Sequence, residues 1–543
     1  MQNGNTLKAK FQPALATFWP GVSVSGGLPA SKSATRSLTA RRIFVVAIGV
    51  GLALRLIAFI WGDASSGGDG AERLSLAINW ALHPEWQGLS GVWPPAHWYF
   101  LGALIRIWNQ PIILAKIVNL ACGMGSIVAF RMATRPAFGD KAASICSLLL
   151  AIFWTHIWLT TAYWVEPPFI LLVILAVHFA NKAAESRQWR SAAASGLLLA
   201  AALLLRHEGL IILGLFVIWY AIKVKKLRTI AAFVAPPLCI AAWYFIEPWL
   251  HGHSYFEYAS FVRSAKAGEN LVQGVGLKNC LELWVLMPAG VPSLFVVIPG
   301  LYGLWRARRT ARTELFAWMF VAQVAFYFSM TLTSAWRPQL RYVLLYFVNL
   351  LPYAAVGWSA IINRFEPRLR YRYVLPGLVL ATIATQSLSW WYGRNDFRSM
   401  GFLPIETLSS SQKALDKWTS QLKGKPGVTN GEFNIVAILP GPVSEPWSLR
   451  RSVIVNRLYE RNVDARIVYF PENQEILKGQ LPDAVYQADI VLIYPRAIFF
   501  EPVLKALQAS QTHVEIAQIH PDIAALTLTR DQAPAPVALA ASH

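Results

Sequence analysis

The chain has 543 residues, of which 55% are hydrophobic and 14% charged, well below the roughly one quarter charged in soluble proteins. Its 23 tryptophans and long apolar runs exceed what a soluble core needs and make a bilayer the solvent for much of the chain. The formal net charge is +20, but the basic residues sit in short clusters between apolar runs, which excludes nucleic acid as the expected partner and points to loops held beside anionic membrane lipid.

In chain order, residues 1–42 are polar, rich in Ser, Gly and Thr, and end in Arg41-Arg42, as expected of a flexible cytoplasmic tail. The apolar run behind them, about 20 residues, is too long for a signal-peptide core and no A-x-A site follows it, so helix 1 is a retained span over 43–62. A long polar loop, 63–95, and an apolar stretch, 96–108, lead into helix 2 at 111–132. Further spans are expected at 142–160, 167–181, 192–206, 209–222 and 229–247. After a second long loop, 248–282, come spans at 284–304, 315–333, 342–362 and 373–391, about eleven in all.

Charge tests this map. Every second loop is basic: Arg135 and Lys141; Lys182, Arg187 and Arg190; Lys223, Lys225, Lys226 and Arg228; Arg306, Arg308, Arg309 and Arg312; Arg364, Arg368, Arg370 and Arg372. The positive-inside rule makes these loops cytoplasmic, together with the N-terminus, and an odd number of spans leaves the C-terminus outside. Arg206-His207-Glu208 interrupts what would otherwise be one overlong span, so helices 5 and 6 are expected to meet at an outer turn there.

From 392 onward the long apolar runs stop. Strands are expected at Asn434–Leu439, Ala465–Phe470, Asp489–Tyr494 and Val514–Ile519, and helices at Glu445–Glu460 and Glu501–Gln508. Their alternation gives a soluble α/β domain over 392–543 with a disordered Ala-Pro tail. The fold class is thus an all-α polytopic membrane domain, 43–391, with a C-terminal soluble α/β domain. The four cysteines form no CxxC or Cys/His cluster, so nothing demands a structural metal or a disulfide.

Polar residues gather on the outer side: Gly67 to Arg73, with Asp69 and Glu72; Trp93-Pro94-Pro95-Ala96-His97-Trp98-Tyr99; Glu166 before Pro167; Arg206-His207-Glu208; and Arg337 to Tyr342. Ionisable groups at membrane depth are costly and mark functional sites by default. Each also has a plainer reading. Asp69 suits a turn, Glu166 a helix N-terminus, the aromatics an interfacial belt, and Arg206 with Glu208 a structural ion pair. Arg337 and Arg341 lie outside against the charge trend, which favours an anionic ligand.

Asp69 in the first outer loop, the W-P-P some 25 positions later, and the short basic loops resemble the GT-C glycosyltransferases, nearest the protein O-mannosyltransferases and the lipid A aminoarabinose transferases. Asn119 and Gly123, in a helix led by Lys116, are similar to that family's second-helix pattern. Glu166 is similar to its helix-4 acid, and Arg341-Tyr342 to its late Arg-Tyr. The family often has two adjacent acids in the first loop. Here Gly70 follows Asp69, which leaves the base open between Asp69 and Glu72.

The resemblance implies transfer of a sugar from a polyprenyl-phosphate carrier to a lipid, glycan or protein acceptor at the outer face of a bacterial inner membrane. Arg337, Arg341 or Lys278 would stabilise the leaving phosphate. Asp69 would be the base, with in-line displacement inverting the anomeric centre. Glu166, His207 and Glu208 would position sugar or acceptor, with His97, Arg206 and Tyr342 as further binding residues. No cofactor is required by the sequence, and a divalent metal is left open. The alternatives are a transporter or flippase, and a scaffold anchoring the α/β domain.

Overall fold

The structure, a computed structural model, describes residues 30–61, 69–82, 94–250, 294–311, 314–332 and 340–364 of the membrane part. In the C-terminal part it describes 413–421, 435–438, 465–468, 483–493, 500–510, 512–521 and 523–530, with a few single positions elsewhere. Helices α1 (Ala30–Trp61), α2 (Asp69–Leu82), α3 (Ala96–Ile107), α4 (Pro111–Ala151), α5 (Trp154–Leu159) and α6 (Glu166–Ser186) come first. They are followed by α7 (Trp189–Leu203), α8 (Gly209–Lys223), α9 (Leu227–Leu250), α10 (Leu294–Arg306), α11 (Arg308–Ala311), α12 (Leu315–Leu332) and α13 (Leu340–Arg364).

Six of these helices are long and apolar enough to cross a membrane, and α7 and α8 are shorter apolar helices. Ile57, Leu197, Ile218, Leu238, Trp249 and Val321 are exposed on them, as expected of faces turned to lipid. These are the helices of an integral membrane protein. A single 41-residue helix at α4 would be about 60 Å long, twice the hydrocarbon core. It is instead a hairpin. Gly139 has φ 77° and ψ 165°, a conformation essentially reserved for glycine, and Arg131 and Arg135 both hold Asp140 there, at 3.2 and 2.9 Å. The Ser147 hydroxyl donates to the Ile127 carbonyl at 2.9 Å, so the two halves run back along each other, as expected of helices 2 and 3.

The main departures from expectation lie in the first half of the chain. The helix behind the N-terminal tail begins at Ala30 rather than 43. The helix expected over 142–160 ends at Ala151, and α5 follows separately. Arg55 of α1 explains that break: its Nη1 donates to the Ala151 and Gly51 carbonyls at 2.9 Å, and its Nη2 bonds His156 Nδ1 at 2.7 Å. An arginine thus satisfies a helix C-terminus inside the bundle. The outer loop 63–95 contains α2, whose Leu74, Ala77 and Ile78 recur at helical spacing and pack on Trp98, Leu101 and Ile105 of α3. Trp98 is therefore core rather than an interfacial anchor. The expected span 373–391, and 284–293 of the span expected at 284–304, lie outside the described residues apart from the helical positions 377 and 380, so the count of eleven stays an expectation.

The C-terminal part forms a five-stranded sheet. Its strands are β1 (Ile435–Ile438), β2 (Ala465–Val468), β3 (Ile490–Ile493), β4 (Thr512–His520) and β5 (Ile523–Arg530), in the order β2-β1-β3-β5-β4. The first three are parallel, and β5 runs antiparallel to both β3 and β4. Helices α14 (Asp483–Tyr486) and α15 (Phe500–Ala509) accompany it, the latter burying Val503 and Leu507. Of the helix expected at Glu445–Glu460, positions 454, 456, 458 and 459 are described, and all are helical. The Ala-Pro tail lies outside the described residues.

Candidate functional site

The α4 bend places Asp140 at one end of the bundle; the turns around Glu166 and Arg206 lie one helix further along, at the other. Glu166 opens α6 with Pro167 in its first turn, so a carboxylate sits at a helix N-terminus, and its side chain is wholly buried. Asn119 of α4 sets the approach to it by donating to the Ala162 and Trp164 carbonyls at 2.6 and 2.7 Å. One turn along α4, a Cβ on Gly123 would come within 2.3 Å of the Thr160 side chain. Asn119 and Gly123 thus grip the same 160–164 segment, one by hydrogen bonds and the other by closeness.

The turn between α7 and α8 supplies the partners. Arg206 donates from Nη1 to Glu166 Oε1, and from Nη2 and Nε to the two Glu208 oxygens at 2.6 and 3.2 Å. The Tyr327 hydroxyl of α12 points at Glu208 Oε1 from 3.4 Å. The His207 ring lies 5.2 Å from that of Tyr244 on α9, whose hydroxyl donates to the Leu203 carbonyl. Burial works to raise the Glu208 pKa. The Arg206 charge and hydrogen bond outweigh it and hold the carboxyl at about 2, so it is ionised.

Among the described residues, one guanidinium serves two carboxylates. Glu166 Oε2 is buried and accepts no hydrogen bond from any described residue. Such an atom is costly to leave unsatisfied.

The Ala96 amide at the start of α3 donates to the Leu204 carbonyl at 3.1 Å, which ties α3 to the Arg206 turn. His97, the next residue, is buried; burial and the adjacent Arg73 of α2 push its pKa down to about 3, so it stays neutral. Asp69 and Glu72 lie in the first turn of α2, and Arg341 and Tyr342 in the first turn of α13; at these four positions only the backbone is described. Lys278, Arg337 and Trp93 lie outside the described residues. Glu166, Arg206, His207 and Glu208 are therefore brought together, with His97 on the adjoining helix.

Sequence reasoning missed Tyr327 and the Arg55–His156 pair, and did not see Arg73 beside His97. Arg55 carried a signal, as a lone charge within an apolar run, whereas Tyr327 is one aromatic among many. Among the described residues no group of three or more His, Cys, Asp or Glu is placed to hold a metal.

No protein-family model and no curated protein sequence matches this chain. Among solved structures, ArnT from Cupriavidus metallidurans bound to undecaprenyl phosphate superposes with a TM-score of 0.59 at 12% identity, over 89% of this chain and 97% of that one. This chain has the fold of ArnT. ArnT in the apo state gives 0.58 at 12% identity, over 90% and 98% of the two chains. An Archaeoglobus fulgidus oligosaccharyltransferase in the apo form gives 0.48 at 13% identity, over 84% and 69%. The GT-C likeness to ArnT covers more of this chain than the membrane helices amount to, so it includes part of the C-terminal domain.

Proposed function

We propose that this chain is a GT-C glycosyltransferase moving a sugar from a polyprenyl-phosphate carrier to a lipid, glycan or protein acceptor at the extracytoplasmic face of a bacterial inner membrane. The observation that carries this reading is the buried Glu166–Arg206–Glu208 cluster, with its open Glu166 oxygen, in the fold of a protein whose structure holds undecaprenyl phosphate.

The chemistry follows from these groups. A prenyl phosphate leaves readily as an anion, so no general acid is needed; what is needed is positive charge at the departing oxygen. Arg206 is already engaged by two carboxylates, so that role falls to Arg337, Arg341 or Lys278. Asp69 removes the acceptor hydroxyl proton, with Glu72 as the other choice, as the new C–O bond forms. The old C–O bond breaks with its electron pair going to the phosphate, and in-line attack inverts the anomeric centre. Glu166 and Glu208, aided by His207, accept hydrogen bonds from sugar or acceptor hydroxyls.

The test is transfer of labelled sugar from a panel of polyprenyl-phosphate sugars by protein in lipid, comparing wild type, Asp69→Asn and Glu72→Gln. Wild type should turn over, and the variant lacking the base should lose about 10²- to 10⁴-fold. Full activity in both variants would remove the base assignment. Binding of the carrier with no transfer to any acceptor would make the protein a transporter.

A further inference from the structure

The helix bearing both candidate bases is short for its task. Helix α2 has 14 residues, a length at which an isolated helix is marginal in water. One face is fixed by apolar contact: Leu74, Ala77 and Ile78 pack with α3, with Leu114 and Ala115 of α4, and with Tyr163. Apolar contact alone sets depth better than rotation, because it has no direction.

A directional contact comes from the C-terminal domain. The Ser75 hydroxyl donates to Asn456 Oδ1 at 2.9 Å across 381 residues of sequence, and both side chains are buried. Tyr459 packs on the same α2–α3 cluster. Ile454 and Leu458, four apart, face the other way, into Ile490, Leu492, Ile523 and Ala525 of the sheet. At 100° per residue the 454/458 pair and the 456/459 pair lie on different sides of one helix. This stretch is a connector, with the sheet on one side and α2 on the other.

We propose that Asn456 is a positioning residue for the base-bearing helix, which makes the C-terminal domain part of the catalytic unit. Ser75 lies three residues after Glu72, on the same helix face, and six after Asp69. A hydrogen bond at Ser75 therefore sets the rotation of the turn from which the base projects. Misplacing a catalytic group by about 1 Å costs on the order of 10²-fold in rate, so the loss should appear in turnover rather than in binding of the carrier.

This inference rests on the transferase reading, and the experiment separates the two. Full-length protein in lipid is assayed as Ser75→Ala, Asn456→Leu and the double variant, with Ser75→Thr keeping the hydroxyl. The expected result is a tenfold or greater fall in kcat for each single variant at unchanged donor KM. The double variant should be no worse than the poorer single, and Ser75→Thr should retain most activity. Additive losses, losses confined to KM, or no losses would overturn the proposal. In parallel, Ser75→Cys/Asn456→Cys in an otherwise cysteine-free chain should cross-link on oxidation, an outcome read on a gel without any activity. Failure to cross-link removes the contact and the proposal together. A protein that cross-links but transfers sugar from no donor sinks the transferase reading, and the positioning role with it, while the contact stands.

Discussion

Arg206 holds together the two described carboxylates of the site. Two buried carboxylates on different helices are tolerable only because one guanidinium reaches both, through at least three of its N–H donors. Arg206→Gln leaves Glu166 and Glu208 without their cation and should cost about 3–5 kcal/mol, seen as a lowered Tm in lipid, together with loss of turnover. Arg206→Lys keeps the charge but not the planar fork, and should recover only part of both. Tm values unchanged by Arg206→Gln would mean that the cluster is not held as described. The members of this cluster were legible in the sequence, because Glu166 and the 206–208 triplet are charges at the ends of apolar runs. Their pairing was not. Arg206 with Glu208 is a local pattern, whereas Glu166 lies 40 residues away and reaches Arg206 only because α6 and α7 pack antiparallel. The open oxygen on Glu166 follows from that geometry alone.

Among the elements, long apolar helices announced themselves by length, and the α4 hairpin by the basic cluster at its bend. Helix α2 and strand β5 did not. Helix α2 is too polar to be found by span length, and its periodicity was hidden among glycines and the acids of a loop. Strand β5 buries Ile523 and Ala525 on one face and Ala524, Leu526 and Leu528 on the other, so its first half shows no polar alternation, and its alanines favour a helix locally. Close helix contact depends on glycine in a way that can be tested. A Cβ on Gly357 of α13 would sit 2.0 Å from the Pro299 carbonyl of α10, and one on Gly303 of α10 would sit 1.9 Å from the Tyr353 carbonyl of α13. These small residues let two backbones touch. Gly357→Val should push α10 and α13 apart at a cost of about 1–3 kcal/mol, measured as a fall in Tm in lipid. Because α13 begins beside Arg341 and Tyr342, turnover should fall as well. Gly214→Ala on α8, where a Cβ meets nothing within 4 Å, is the control and should be neutral or slightly stabilising. Equal behaviour of the two variants would mean that the α10–α13 contact is not tight.

For the whole molecule, the distribution of charge decides which end of the bundle faces which compartment. The α4 bend, the end of α6, the turn between α8 and α9, and the link from α10 to α12 carry Arg131 and Arg135, Lys182 and Arg187, Lys223 to Arg228, and Arg306 to Arg309. The turns carrying Glu166 and Arg206 fall between them in sequence, one helix away each time. If those positive loops are retained, the positive-inside rule predicts the carboxylate cluster, α2 and the Asn456 contact on the translocated side. Alkaline phosphatase fused after residue 421 should be active in a bacterial host, and green fluorescent protein at that point dark. Fusion at 225, between α8 and α9, should give the reverse. The orientation matters for mechanism as much as for location. A polyprenyl-phosphate sugar is useful on the outer face because nucleotide sugars stay in the cytoplasm. If the fusion at 421 fluoresces instead, the cluster faces the cytoplasm, where a nucleotide-linked donor competes as an explanation, and the lipid-linked donor loses its main physical reason. If it is active as phosphatase, the acceptor must be a molecule already exported, and acceptor screening narrows to the envelope side.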